Sequence, residues 1–134
     1  MKVLHKKINF QDERGTITDI FINDPKEHGT IIFSKKGTVR GNHYHKKSTQ
    51  YTFIISGKLI MLSQKIGVKK IYRHILRPND LMIHSPKEAH TLIADEDTIF
   101  LALAEGVRGG KNYEKDTFRL SDPLTDESCK LLGK

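Results

Sequence analysis

Short runs of alternating or wholly apolar residues, separated by turn residues, are the feature that most constrains the fold of this chain. Proline, glycine, asparagine and aspartate occupy the turns, as at Asp24-Pro25 and Ser56-Gly57. Segment 122–133 is predicted to form a short terminal helix at most, and no helical period is visible before it. Many short strands with such turns indicate a sandwich or barrel. The predicted strands are Lys7–Phe10, Ile17–Ile22, Thr30–Phe33, Tyr51–Ile55, Lys58–Ser63, Lys70–Leu76, Leu81–His84, Thr91–Ala94 and Thr98–Ala104.

The size and composition are those of one soluble domain. The chain has 134 residues, of which 29% are charged and 37% hydrophobic, enough for a single core. No apolar run approaches the roughly eighteen residues that span a bilayer, and the first residues lack the apolar stretch of a secretory signal. Cys129 is the only cysteine, so an internal disulfide is excluded. We therefore expect a cytoplasmic protein without a membrane partner.

The surface carries an excess of positive charge. Lysine and arginine number 23 against 16 acidic residues, giving a net charge of +7. Such a surface attracts anions, including nucleic acids and phosphorylated small molecules. The lysines occur in separate pairs, and no long basic run or aromatic-interleaved RNA motif is present. A nucleic-acid partner is therefore not expected, whereas a diphosphate-bearing substrate would be attracted by the positive charge of the surface.

Two histidines and an amide are spaced so that strands would bring them to one site. His43 and His45 share a strand face because side chains alternate in a strand, while Tyr44 points the other way. Gln50 follows after a turn and shares its face with Thr52 and Ile54 on the return strand. His90 comes after the apolar run that ends near Pro86. The three histidines and Gln50 are predicted to meet inside one small barrel.

These residues resemble the two motifs of the cupin superfamily. The first motif is matched by Gly37, His43, His45, Gln50 and Gly57, and the second by Pro86 and His90. The resemblance implies an all-β fold, the double-stranded β-helix or jelly roll. It also implies one cupin domain over residues 1–134, with a core at about 8–105 and a C-terminal extension at 106–134.

Within the cupins, the chain most resembles nucleotide-sugar 3,4-ketoisomerases. The shared features are Arg40-Gly41, Lys46-Lys47 and Gln50. Asp12-Glu-Arg14-Gly15 is similar to the opening of ketoisomerases and deoxysugar 3,5-epimerases, and the stretch 40–45 also resembles the cupin domains of capsule-sugar epimerases. The resemblance implies 3,4-ketoisomerisation of a dTDP-4-keto-6-deoxyhexose in surface-polysaccharide biosynthesis. Three departures are Gln50, where the epimerase cupins usually carry glutamate, Ala89, where ketoisomerases often carry an aromatic residue, and the glycine-rich segment 106–110.

Two chemistries suit the predicted site. His43, His45 and His90 could bind a divalent metal with Gln50 as a weak fourth ligand, although a neutral amide binds less firmly than a carboxylate. Alternatively, His43 or His45 moves a proton between neighbouring carbons of a keto sugar, since imidazole titrates near neutrality. A neutral histidine, the Gln50 amide or Arg40 would stabilise the enolate oxygen. An amide instead of a carboxylate at position 50 weakens the metal-binding interpretation and leaves the acid–base interpretation intact. Proton transfer without a required cofactor is therefore preferred.

Further candidates have structural alternatives. Arg14, Gln50, His84 and Tyr113 are predicted to bind substrate, and Arg40 is predicted to hold a phosphate at the barrel mouth or form a surface salt bridge. His84 is either an inward-facing acid–base group or a surface residue. Arg14 is either structural or delivered to the site of a second subunit, because the early strands are expected to pair across a homodimer.

Three other functions stay open at the level of sequence. The first is a nucleotide-sugar 3-epimerase or 3,5-epimerase, which removes the same proton but returns it to the same carbon. The second is a metal-dependent cupin such as a dioxygenase. The third is a non-enzymatic module that binds a small anion.

Overall fold

The computed structural model describes residues 2–105 and 115–126, which form twelve β-strands. They are β1 (Lys2–His5), β2 (Phe10–Asp12), β3 (Gly15–Ile17), β4 (His28–Ser34), β5 (Val39–Tyr44), β6 (Thr49–Ser56), β7 (Leu59–Lys65), β8 (Tyr72–Leu76), β9 (Asp80–His84), β10 (Glu88–Ala94), β11 (Thr98–Glu105) and β12 (Phe118–Arg119). Within these two ranges, no helix has the length and apolarity needed to cross a bilayer.

Two five-stranded antiparallel sheets form the body of the protein. The first sheet has the order β1-β9-β6-β11-β4, and the second has the order β12-β5-β10-β7-β8. Strands adjacent in sequence often lie in opposite sheets, as β4 and β5 do, so the chain winds between the two layers. This is the jelly-roll arrangement expected from the sequence.

The apolar core fills one end of the space between the sheets. Fully buried Ile54, Met61, Met82 and Phe100 belong to it, together with Leu59, Leu76, Leu92 and Ala94. Because strand residues alternate, the inward positions closer to the other end fall on polar residues of the same strands, namely Gln50, His84 and His90. The apolar end holds the sheets together, and the polar end forms the candidate site.

The outer face of the first sheet is also apolar and is only partly covered. Ile20 and Phe21 pack on the part of this face that includes Tyr51 and Phe53. Lys26 holds the segment that contains Ile20 and Phe21 against the sheet. Its ammonium lies 4.1 Å from the centroid of the Tyr51 ring and forms ion pairs with Asp24 and Glu105. Within residues 2–105 and 115–126, no such segment covers the part of the face along β4.

The strand predictions hold best in the centre of the chain. The predicted runs Lys7–Phe10 and Ile17–Ile22 are wrong over most of their length, because only their ends enter the β2–β3 hairpin. The other residues of both runs belong to connections, in which the Asn9 amide donates to the Ile17 carbonyl. The strand predictions also missed β1, whose residues are paired only with those of β9. The proposed helix at 122–133 lies largely outside the described residues.

Candidate active site

Four histidines meet at the polar end of the sandwich. His43 lies on β5, His45 follows that strand, His84 ends β9 and His90 lies on β10. The ring centroid of His43 lies 4.9 Å from that of His45 and 4.8 Å from that of His90. The ring centroids of His84 and His90 are 4.6 Å apart. His45, His84 and His90 are buried, and His43 is half-buried. The structure therefore brings together the predicted trio and adds His84 to it.

His84 points inward, so its interpretation as a surface residue is wrong. Its Nε2 lies 3.1 Å from the hydroxyl oxygen of Thr52, on the neighbouring strand β6. Burial, followed by the nearby His45 ring, lowers the pKa of His84 to about 3. Burial and the rings of His84, His43 and His45 hold the pKa of His90 well below its ordinary value. Both rings are therefore neutral at pH 7.

A bulge in β5 turns Arg40 toward the same side as His43. Arg40 pairs with Leu92 and His43 pairs with His90, but the register shifts between them, so β5 has one residue more than β10. The extra residue is accommodated by the left-handed conformations of Gly41 (φ 91°) and Asn42 (φ 57°). A Cβ atom at Gly41 would lie 2.7 Å from the His90 carbonyl oxygen, so only glycine fits without displacing the site.

A cavity of about 250 Å³ opens beside the cluster. Ile32, Leu92, Phe100 and Ala102 line its apolar part, and Arg40, Gly41, His43, Gln50, Thr52 and His90 line the rest. This volume is slightly below the range of about 300–1,000 Å³ that is usual for small-molecule sites. An apolar wall with a few polar groups opposite it suits a small, partly polar ring.

The amide nitrogen Nε2 of Gln50 and the ring nitrogen Nδ1 of His84 are buried at this end of the sandwich. Neither atom has a hydrogen-bond partner among the described residues. Buried polar groups usually have partners. The two atoms are therefore candidates for contact with a ligand or with water, and Gln50 lines the cavity itself.

Arg40 lies at the edge of the cavity and is held by neutral groups. Its Nε donates to the Ser34 hydroxyl oxygen at 2.8 Å, and its Nη2 donates to the Phe33 carbonyl oxygen at 3.2 Å. Within residues 2–105 and 115–126, Arg40 has no ion pair, so the alternative of a surface salt bridge is wrong. No carboxylate of the described residues pairs with this guanidinium, whose charge is suited to an anionic group.

Two predicted substrate-binding residues are not placed at this cavity. Arg14 lies in the β2–β3 hairpin, where its guanidinium pairs with Asp12 at 2.6 Å and remains 79% exposed. Tyr113 lies outside the described residues, as does the glycine-rich segment 106–110. The prediction for Tyr113 therefore stays a prediction.

Asp116 is a residue of the site that the sequence patterns did not indicate. Its backbone carbonyl oxygen lies 2.9 Å from Nδ1 of His45, and its carboxylate binds the loop that follows His45. The partners are 68 to 71 residues apart in sequence, so no local spacing could have revealed the contact.

The donor set could hold a divalent metal, but only with neutral ligands. One ring nitrogen each from His43, His45 and His90 lies within 4.8 Å of the others, and neutral imidazole is a good ligand for zinc, iron or copper. Gln50 lines the same cavity and adds no charge. The residues therefore fit a metal held by three histidines, which would act as a Lewis acid on a substrate oxygen.

We expect the purified protein to hold less than one equivalent of metal, because Gln50 stands where a carboxylate would add charge. Elemental analysis of protein purified without added metal measures this directly. A Gln50→Glu variant is the matched comparison, and it should retain more metal. A full equivalent of zinc, iron or nickel in the unaltered protein, with loss of function on chelation, would favour the metal-dependent alternative.

Comparisons with known proteins agree with the fold and assign the family. Residues 10–99 match the model of the polysaccharide biosynthesis C-terminal domain. No curated protein matches the sequence significantly.

Among solved structures, a dTDP-6-deoxy-D-glucose-3,5-epimerase from Legionella pneumophila, solved with dTDP-4-keto-L-rhamnose, has a TM-score of 0.75 at 17% identity. The similarity covers 95% of this chain and 74% of that one. A sugar 3,4-ketoisomerase from Thermoanaerobacterium thermosaccharolyticum, solved with TDP, has a TM-score of 0.74 at 19% identity, over 98% and 93% of the two chains. A capsular polysaccharide assembling protein from Staphylococcus aureus has a TM-score of 0.62 at 19% identity, over 86% of this chain and 32% of that one. The fold is thus the predicted cupin fold, and the chain belongs to the family of polysaccharide biosynthesis C-terminal domains.

Proposed function

We propose that the protein is a sugar-nucleotide isomerase that converts a dTDP-4-keto-6-deoxyhexose to its 3-keto isomer in surface-polysaccharide biosynthesis. The observation that carries this proposal is the cluster of histidines beside a small cavity, two of them neutral at pH 7. Such a site suits the transfer of a proton within one bound molecule. The family and the fold shared with a ketoisomerase support the same reaction class.

The proposed reaction moves one proton between carbons and one between oxygens, and it needs no oxidant. His43 or His45 removes the proton from C3, and the electrons of that bond form a C3–C4 double bond while the C4 carbonyl becomes an enolate. The enolate oxygen on C4 takes up a proton, which gives an enediol. A proton is then added to the C4 carbon as the C3 hydroxyl loses its proton, which leaves the carbonyl at C3 and a hydroxyl at C4. Arg40 and Gln50 line the cavity. The Arg40 guanidinium and Nε2 of Gln50 only donate hydrogen bonds, which supports a role for them in stabilising the enolate oxygen.

The site also has features for the rest of such a substrate. Arg40 at the cavity edge can hold a phosphate oxygen, since a guanidinium binds phosphate through two parallel hydrogen bonds. The net charge of +7 attracts a diphosphate over longer range. A cytoplasmic location is part of the proposal, because a chain with one cysteine gains no internal disulfide from an oxidising compartment.

Isotope exchange tests the reaction. We expect that incubation with a nucleotide-linked 4-keto-6-deoxy sugar in deuterated water places deuterium at C4, with the carbonyl at C3, as read by NMR. Deuterium at C3 with inverted configuration would instead indicate a 3-epimerase, and labelling at C5 as well would indicate a 3,5-epimerase. Absence of exchange with every keto sugar nucleotide tested, together with normal binding, would contradict both enzymatic functions and favour a binding module.

We also propose that the protein is a homodimer. Ile31 and Phe33 on the edge strand β4 are 53% and 64% exposed, and they lie beside Leu101 and Ile99 on the outer face of the first sheet. The β2–β3 hairpin pairs with no other described strand and exposes Phe10. A second copy that covers the β4 face would bury these groups and protect the edge of the sheet.

Replacing Ile31 and Phe33 together with lysine should produce a monomer. Burial of each such side chain contributes about 1.5–3 kcal/mol, so the dimer should weaken by at least about a hundredfold. Light scattering at micromolar concentration gives the mass. The control replaces Ile66 and Val68, which are similarly exposed but lie near the β7–β8 turn. A monomeric unaltered protein, or a double variant that remains dimeric, would count against this interface.

A further inference from the structure

The connection between β5 and β6 is clamped by Asp116. One carboxylate oxygen accepts from the amide of Lys46 at 3.0 Å, and the other accepts from the amide and the hydroxyl of Ser48 at 3.0 and 2.9 Å. The amide of Lys47 lies 3.2 Å from both oxygens. Asp116 and Ser48 are only 5% and 1% exposed. The clamp is therefore shielded from water and holds the residues between His45 and Gln50.

The ionised form of Asp116 is stabilised by this loop. Burial alone would raise the pKa of Asp116, but hydrogen bonds from the Ser48 hydroxyl and the three loop amides lower it below its ordinary value. The carboxylate is therefore charged at neutral pH and accepts every hydrogen bond of the clamp.

The backbone carbonyl of Asp116 acts on His45 directly. A carbonyl oxygen can only accept, so Nδ1 of His45, 2.9 Å away, must carry the proton. In the neutral ring, the lone pair then belongs to Nε2. The backbone of His45 is fixed as well, because its carbonyl oxygen accepts from the Lys87 amide at 2.6 Å. Ring and backbone are thus held from two separate parts of the chain.

We propose that Asp116 is a positioning residue, which sets the tautomer and the place of His45 so that Nε2 is the atom that exchanges a proton with the substrate. Its carboxylate fixes the loop after His45, and its carbonyl fixes the ring. The kinetic part of this proposal rests on the proposed function, in which His45 transfers a proton. The tautomer itself does not depend on the identity of the substrate.

Long-range ¹H–¹⁵N NMR of the histidine rings tests the tautomer. We expect His45, assigned by the signals lost in His45→Asn, to be protonated at Nδ1 in the unaltered protein. In Asp116→Ala the loop amides lose their acceptor, so the loop should shift and the Nε2-protonated form should become populated. Asp122→Asn is the matched control, because Asp122 is exposed on the same segment, and its spectrum should match that of the unaltered protein.

Kinetics separate positioning from a merely structural role. Asp116→Ala should lower kcat by about tenfold or more, with KM changed less than about twofold. Asp116→Asn keeps one acceptor oxygen and should recover part of the loss. Should Asp116→Ala fail to fold, Ser48→Ala replaces it, since this variant removes a single donor from the clamp.

The proposal would be overturned by protonation at Nε2 of His45 in the unaltered protein. An unchanged tautomer and kcat in a folded Asp116→Ala variant would overturn it equally. An unaltered protein that shows the expected tautomer but exchanges no keto sugar nucleotide would instead refute the proposed function and leave the tautomer assignment in place.

Discussion

Replacement of His45 by asparagine is expected to lower the rate of deuterium exchange by about a hundredfold or more, as is typical for loss of a general acid–base group. Asparagine is close to imidazole in polarity but cannot carry a proton between carbons. Binding of the sugar nucleotide should change little, because Arg40 and the apolar wall of the cavity remain. Exchange rates by NMR and affinity by calorimetry measure the two effects separately.

The same substitution at His5 is the matched control. His5 lies on β1, pairs with Asp80 at 2.8 Å and has a side chain that is 66% exposed. It is on the opposite end of β9 from His84, so His5→Asn should keep full activity. If His45→Asn also exchanges at the normal rate, His43 becomes the remaining candidate base, and His43→Asn is tested in the same way. Normal exchange in both His45→Asn and His43→Asn would contradict the proposed proton transfer.

Mild acid is expected to destabilise the fold, because the buried histidines must be neutral in it. His84 has a pKa of about 3 in the folded protein and about 6.5 when unfolded. Between these values the unfolded chain binds more protons, so the free energy of unfolding rises with pH and falls as acid is added. At about 1.36 kcal/mol per pKa unit, the shift of His84 alone contributes on the order of 5 kcal/mol to the free energy of unfolding over the full window between the two pKa values. This is a large part of the usual stability of about 5–15 kcal/mol.

Denaturant unfolding of chelator-treated protein at pH 8 and pH 5 measures this effect. We expect a clear loss of stability at pH 5, where carboxylates such as Asp116 are still ionised and contribute little to the change. His84→Leu removes one titrating group and should flatten the pH dependence, whereas exposed His5→Asn should leave it unchanged. Equal stability of the unaltered protein at both pH values would contradict the neutral, buried state of the cluster.

The fold class could be predicted from the sequence because strand patterning is local. The predicted strands Tyr51–Ile55, Lys58–Ser63 and Leu81–His84 correspond to β6, β7 and β9. Most of their apolar residues are buried in the hydrophobic clusters of the protein. The same reasoning failed near the N-terminus. Lys7–Phe10 alternates as a strand would, but most of it has no strand beside it in the described chain.

The histidine site was predictable only in part. The spacing of His43, His45 and Gln50 correctly placed them around one space between the sheets. Alternation alone would put Arg40 and His43, three residues apart, on opposite faces. The bulge at Gly41 and Asn42, where the β5–β10 register shifts by one residue, reverses this.

The sequence by itself therefore determined the strand-rich fold, the cupin motifs and the face shared by His43 and His45, because these depend on neighbours within a few residues. The tertiary structure alone decided that His84 is buried beside His90, that Arg40 faces the cavity, and that Asp116 holds His45. Each of these depends on strands or loops that are distant in the chain and adjacent in space. Such burial, register shifts and long-range hydrogen bonds arise only when the two sheets pack. They therefore cannot be predicted from a local sequence pattern.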